Sequence, residues 1–341
     1  MFIKRNIPFS IIIRFAWKYL LIFIGWGTFW VVCHDFFHEC GIHVLIPFAP
    51  LGTIGVAVAF YLGFKNNQSY DRFWEARTIW GGIVNSSRVW ANQVLSYISA
   101  HHQKGTTGGG SETITDVHRR LIYRHLAYIN ALRLNLRKPS TFSPHYVGAV
   151  RNFHFGSPER RDWEEQVRPF LDPTECEVLA AAQNMPTQIL RRQSEDLQRI
   201  FEQKGLTDDF RHIDMMNTIK DLFHDQGRAE RIKNTPFPRQ YAYFSKIFTW
   251  IFVLLLPLAM VNEFEKLGEG YLWLTVPFST LISWIFMTME LVGDNSEDPF
   301  ENFINDVPMN ALCRNIEIDL REMLGETDLP PRILPVDGVL M

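Results

Sequence analysis

Residues 51–77 read LGTIGVAVAFYLGFKNNQSYDRFWEAR. The stretch starts as an apolar helix and ends as a polar, aromatic-rich one, with no break between. Gly52, Gly55, Ala59 and Gly63 fall at helical spacing on one face, where small residues let a neighbouring helix backbone come close. Val56, Phe60 and Phe64 sit at i, i+4 and i+8 and stack along a different stripe. The run then passes through Asn66, Asn67, Gln68 and Ser69 into Asp71-Arg72-Phe73-Trp74-Glu75-Ala76-Arg77. Such a helix is expected to cross a bilayer and enter a water-side domain. Period alone leaves the Val56 stripe open to core, to lipid or to a pore.

Outward from this stretch the chain alternates between apolar runs and a charged middle. Its 341 residues are 47% hydrophobic and 14% aromatic, with 27 Phe and 10 Trp. Mean hydropathy is only −0.07, because the two kinds of sequence cancel. Ile11 to Cys33 is a first candidate span, with Arg14 and Lys18 placed to snorkel. His34 to His43 reads as a brief polar connection, and Gly41 to Phe64 as the second span. Tyr243 to Val261 and Tyr271 to Leu291 are the third and fourth, each holding a proline that membrane helices tolerate. Residues 65–240 contain no span. They read as mostly helical, over Ile79 to Ile98 and Val117 to Leu136 among others. Residues 292–341 close the chain in a helix and an extended tail, where Pro330, Pro331 and Pro335 oppose helix. The division expected is 1–64, 65–240, 241–291 and 292–341.

Basic residues set the expected orientation. The connection 34–43 has no Lys or Arg, and 262–270 has only Lys266. Nearly all the others lie at the N-terminus, in 65–240 or in the C-terminal segment. Positive-inside therefore places both termini and the middle domain in the cytoplasm of an inner-membrane protein.

Several chemistries are disfavoured. A net charge of −3 does not mark a nucleic-acid binder. Cys33, Cys40, Cys176 and Cys313 show no dense spacing, which argues against a disulfide framework. His34 and His38 at i, i+4 have zinc-ligand spacing, but no third ligand is implied nearby, and a solvated connection is the simpler reading. Arg119, Arg120, Arg124, Arg133 and Arg137 read as a solvated or interhelical face. No P-loop, dinucleotide or GxSxG pattern stands in a credible context. An enzyme is not expected, nor a cofactor or bound metal. A four-span chain encloses water most simply as symmetric copies around an axis, each giving one helix to the wall. Stacked apolar rings there gate by shedding water.

Leu62, Gly63-Phe64, Asn66-Asn67 and Tyr70 through Arg77 resemble the second-helix signature of the bestrophin family. Met185-Pro186-Thr187, Thr235-Pro236-Phe237-Pro238, Glu297-Asp298-Pro299-Phe300 and Asn305 to Cys313 resemble its bacterial members. The resemblance implies an all-α membrane protein with four transmembrane helices and a large helical cytosolic domain, assembled as a homopentamer. It implies a passive channel for small ions, with Val56, Phe60 and Phe64 as the pore neck and Phe210, beside Asp209, as a cytosolic aperture. Arg72, Trp74, Glu75, Arg77, Asp298, Pro299 and Phe300 become structural signature positions. The partners implied are copies of the chain, membrane lipid and permeant ions. Animal members bind calcium at an acidic cluster after the Pro-Phe pair, but only Glu301 and Asp306 are acidic there and Phe303 stands at an expected ligand position. For Asp294, Glu297 and Asp298 the preferred reading is a helix end paired with Arg or Lys. On ion sign, acidic Asp208 and Asp209 lean slightly to cations. Lys65, if it pointed inward, would oppose them. The alternatives are a chloride channel of the same build, an alternating-access carrier and a non-conducting scaffold.

Overall fold

The computed structural model describes all residues except 5, 7–8, 40–45, 101–112, 141–159 and 337, and only the backbone of 9–15, 37–39, 160–161, 180 and 269. The helices are α1 (Phe9–Glu39), α2 (Phe48–Tyr97), α3 (Ile114–Arg137), α4 (Arg160–Gln166), α5 (Pro173–Ala180), α6 (Met185–Arg199), α7 (Asp209–Asn234), α8 (Arg239–Glu265), α9 (Thr275–Ser296) and α10 (Met309–Met323). Among the described residues, β pairing amounts to two isolated bridges, Phe2 with Val339 and Val336 with Val339.

The organising element is α2. Its 50 residues extend about 75 Å at 1.5 Å per residue, more than twice the thickness of a bilayer's hydrocarbon core. Its first part packs against α8 and α9, its later part against α7, α10 and α3. Two cores result. Phe23, Leu51, Val58, Leu62, Phe252 and Leu256 belong to the first; Trp80, Trp90, Tyr128, Ile219, Phe300 and Ile316 belong to the second. Among the described residues four helices, α1, α2, α8 and α9, are long and apolar enough to cross a membrane.

The helical run over Ile79–Ile98 continues α2, which is unbroken to Tyr97; Thr78 does not cap a new helix but donates its hydroxyl to the Trp74 carbonyl at 2.8 Å. Two local expectations change. The polar connection after the first span starts later than expected, because α1 continues through His34 to Glu39. Tyr271–Leu274 is a 3-10 turn leading into α9. The small-residue face also acts differently from a backbone contact. A Cβ on Gly55 would lie 2.8 Å from the Phe252 ring of α8, whereas one on Gly63 would meet nothing within 4 Å.

The chain ends meet. Ile3 N–H donates to the Gly338 carbonyl at 2.9 Å, and Leu340 N–H to that of Met1 at 2.8 Å. Both ends of the described chain therefore lie on one side of the helical bundle.

The second core holds a neutral histidine. Ser87 donates its hydroxyl proton to the Ile83 carbonyl at 2.6 Å, so His125 Nε2, 2.9 Å from Ser87 Oγ, must be the donor in their contact. Burial lowers its pKa from 6.5 to about 3. Between those values the unfolded chain binds the proton and the folded chain does not, so stability falls as pH drops through that window. Acidification from pH 7 to pH 5 is expected to cost about 2 kcal/mol at this residue. His125→Gln should flatten that part of the pH–Tm profile, measured by thermal unfolding in detergent; an unchanged slope would exclude His125 as its source.

Candidate functional site: an exposed apolar stripe and its anchors

On the single chain, Val56, Phe60 and Phe64 are 72%, 69% and 57% exposed. The Phe60 and Phe64 rings meet edge to face with centroids 4.6 Å apart. The opposite side of α2 buries Leu51, Gly55, Val58 and Leu62, so the stripe points away from α8 and α9. Exposure continues along α2 at Asn67, Asp71 and Trp74. Phe210, in the first turn of α7, is the most exposed large apolar side chain among the described residues, at 86%. Asp209 beside it is also exposed, whereas Asp208 caps the helix by accepting from Arg211 N–H at 3.0 Å.

Lys65 does not join the stripe. It is 2% exposed, one residue from Phe64 but on the inward side of α2. Its Nζ donates to Glu290 Oε1 at 2.7 Å and to Asp294 on α9. Glu290 Oε2 accepts from Ser245 of α8 at 2.6 Å. The ammonium thus joins α2 to α9, and Glu290 relays the link to α8. Gly293 makes the approach possible, since a Cβ there would stand 2.5 Å from Asn66 Oδ1. The condition under which Lys65 would add a cationic ring, a side chain turned toward the stripe, is not met on the single chain: burying an ammonium requires opposite charge, and α9 supplies two carboxylates.

The next turns of α2 are tied to α7 and to the end of α9. Arg72 Nε donates to the Glu297 carbonyl at 2.6 Å, and its Nη2 to Thr235 at 2.9 Å and Ile232 at 3.2 Å. Asp298 stands 3.9 Å from the same guanidinium. Glu75 pairs with Arg231 of α7 at 2.6 Å. Arg77 is half-buried and Trp74 exposed. Glu297 lies 3.5 Å from Arg239. Asp294, Glu297 and Asp298 are therefore paired helix-end carboxylates, partnered by Lys65, Arg239 and Arg72.

A family profile described as "Bacterial/Fungal Bestrophin protein" matches residues 5–322. The chain belongs to the bestrophin family. Proteins of this family are ion channels, not enzymes. The "Voltage-dependent anion channel-forming protein YneE" of Escherichia coli (strain K12) is 29% identical over 295 residues, which cover 86% of this chain and 83% of that protein. The "Voltage-dependent anion channel-forming protein mll4386" of Mesorhizobium japonicum is also 29% identical, over 84% of this chain and 78% of its own. Among solved structures, a bacterial Bestrophin homolog from Klebsiella pneumoniae is 26% identical. It aligns with a TM-score of 0.72 over 91% of this chain and 98% of its own.

In this bestrophin the segment after the Pro-Phe pair does not fit calcium. Phe300 and Asn302 adopt positive φ, 77° and 67°, and Asp306 stabilises the turn. It accepts from the N–H groups of Phe300, Asn302 and Val307 at 2.8, 2.7 and 2.6 Å, and from Arg137 at 3.0 Å. Glu301 accepts from Lys233 and from Ser140 N–H. Phe303 is a core side chain. A calcium ion needs six to eight oxygen ligands, and here Asp306 accepts four hydrogen bonds while Glu301 Oε1 is taken by Lys233 and Ser140. Burial lowers the Lys233 pKa, with Glu301 opposing.

The remaining sequence candidates resolve as structural groups. His34 Nε2 lies 3.3 Å from Glu265 of α8; His38's side chain falls outside the described residues. Cys33, Cys176 and Cys313 are free thiols, and Cys40 lies outside the described residues. Of the arginine run, Arg120 and Arg124 bridge α3 to Asp196 of α6, Arg124 also reaches Glu175, and Arg137 holds Asp306. Sequence reasoning missed Glu290 and Ser245. The available signal was an acid inside an otherwise apolar span, which needs a partner at that depth.

Proposed function

We propose that this bestrophin forms a homopentameric channel that passes small monovalent ions passively. α2 of each copy lines the axis. Val56, Phe60 and Phe64 form the neck; Phe210 forms the cytosolic aperture, flanked by Asp209. The observation that carries this reading is the Val56–Phe60–Phe64 stripe, exposed on a helix whose other side is buried, in a chain of channel-family descent. Phe210's exposure adds a second uncovered ring position. The middle domain, residues 65–240, lies in the cytoplasm with both chain ends, and the protein resides in the inner membrane. The basic-residue count and the meeting of the chain ends support this.

Anions are the first reading of ion sign, because the relatives named above carry that description. Cations are the second reading. The neck stripe carries no basic side chain now that Lys65 is accounted for, and five exposed Asp209 carboxylates would attract cations. The test is the reversal potential of purified protein in planar bilayers under a KCl gradient. Asp209→Asn should move that potential toward the chloride equilibrium value if the aspartates select. A potential that Asp209→Asn leaves unmoved would remove the aperture aspartates as support for the cation reading. Absence of permeation altogether would favour a scaffold.

A further inference from the structure

Of the three buried arginines of the run, Arg124, Arg133 and Arg137, Arg133 is the one without a carboxylate partner among the described residues. It is 7% exposed. Its Nη1 donates to Asn310 Oδ1 at 2.8 Å, and its Nη2 to Asn130 Oδ1 at 3.0 Å and to Gln166 Oε1. All three acceptors are neutral amides. Its Nε is buried and has no hydrogen-bond partner, and among the described residues no carboxylate lies within ion-pair distance of it. Its helix neighbour Arg137, one turn on, is neutralised by Asp306. Arg120 and Arg124 have Asp196.

Arg133 lines a cavity of about 380 Å³ between α3, α4 and α10. Arg314 and Arg321 of α10 line it too, with the carboxylates Glu165 and Glu317, and Arg321 is held besides by Glu326 at 2.6 Å. Glu317 is shared: Arg314 lies 3.4 Å and Arg321 3.3 Å from it. The apolar walls come from Phe170 and Ile333. A buried guanidinium without a counter-charge is costly, and an orphaned buried N–H calls for an unseen partner. Carboxylate and phosphate match its forked donors, and the volume lies within the range of small-molecule sites.

We propose that this cavity binds a small soluble oxyanion, a phosphate or carboxylate, with Arg133 as the buried anchor and Arg314 at the rim. Arg133 thereby gains the charge partner that its neighbours find within the chain. The site is independent of the conduction pathway, and its failure would leave the channel assignment standing.

The test is equilibrium dialysis of the purified full-length protein with radiolabelled inorganic phosphate at constant ionic strength, with unlabelled succinate as competitor. Saturable binding that succinate displaces is expected. Arg133→Gln should abolish it, and Arg314→Gln, at a half-exposed position, should weaken it about tenfold, the scale of a charge-assisted hydrogen bond. If Arg133→Gln does not fold, Arg314→Gln decides. Three results would overturn the proposal: no saturable phosphate binding, affinity unaltered by Arg314→Gln, or binding of phosphatidylglycerol in mixed micelles without any of free phosphate.

Discussion

Replacing Val56, Phe60 and Phe64 together by alanine is expected to raise single-channel conductance about tenfold in planar bilayers. A narrow apolar ring opposes ions because it sheds water. Lowering such a barrier by only about 1.4 kcal/mol multiplies the rate by ten. The three side chains contribute little to the fold of one copy, being more than half exposed, so truncation opens no cavity within the chain. Purified variant and parent should therefore elute alike from size exclusion and differ in current. If the stripe faces acyl chains instead, the triple variant will conduct as the parent does, and the neck assignment fails.

The second large effect is on stability. Lys65→Met is expected to cost about 3–5 kcal/mol, the scale for removing one partner of a buried ion pair. The loss strands the buried Glu290 beside the part-exposed Asp294, where Lys65 Nζ now bonds both. Combining Lys65→Met with Glu290→Gln and Asp294→Asn should restore much of the Tm, because the triple variant buries no unpaired charge. Thermal unfolding in detergent measures both. A Lys65→Met protein as stable as the parent would mean that the ammonium does not hold α2 to α9. A conductance change without a Tm change would instead return Lys65 to the pore.

These two expectations divide along a line the sequence itself drew incompletely. Val56, Phe60 and Phe64 share a helical face by spacing alone, and α2 keeps that face whatever surrounds it. Lys65, the next residue, differs by one 100° step, and spacing could not say which way that step turned. The answer came from Glu290 and Asp294, about 225 residues later on α9. The same holds for Asp306, which looked like part of a thin acidic cluster and proved to be the acceptor that holds a tight turn.

Local sequence determined the helices, their order, the four apolar spans and the stripe on α2, because each depends on composition and periodicity within a few turns. The tertiary structure alone decided which charges are spent. Arg72, Arg124, Arg137 and Lys233 each find a carboxylate on a distant part of the chain, and Arg133, on the same helix as two of them, finds only neutral amide oxygens. Ion pairing is fixed by distances between elements far apart in the chain, and no local pattern encodes those distances.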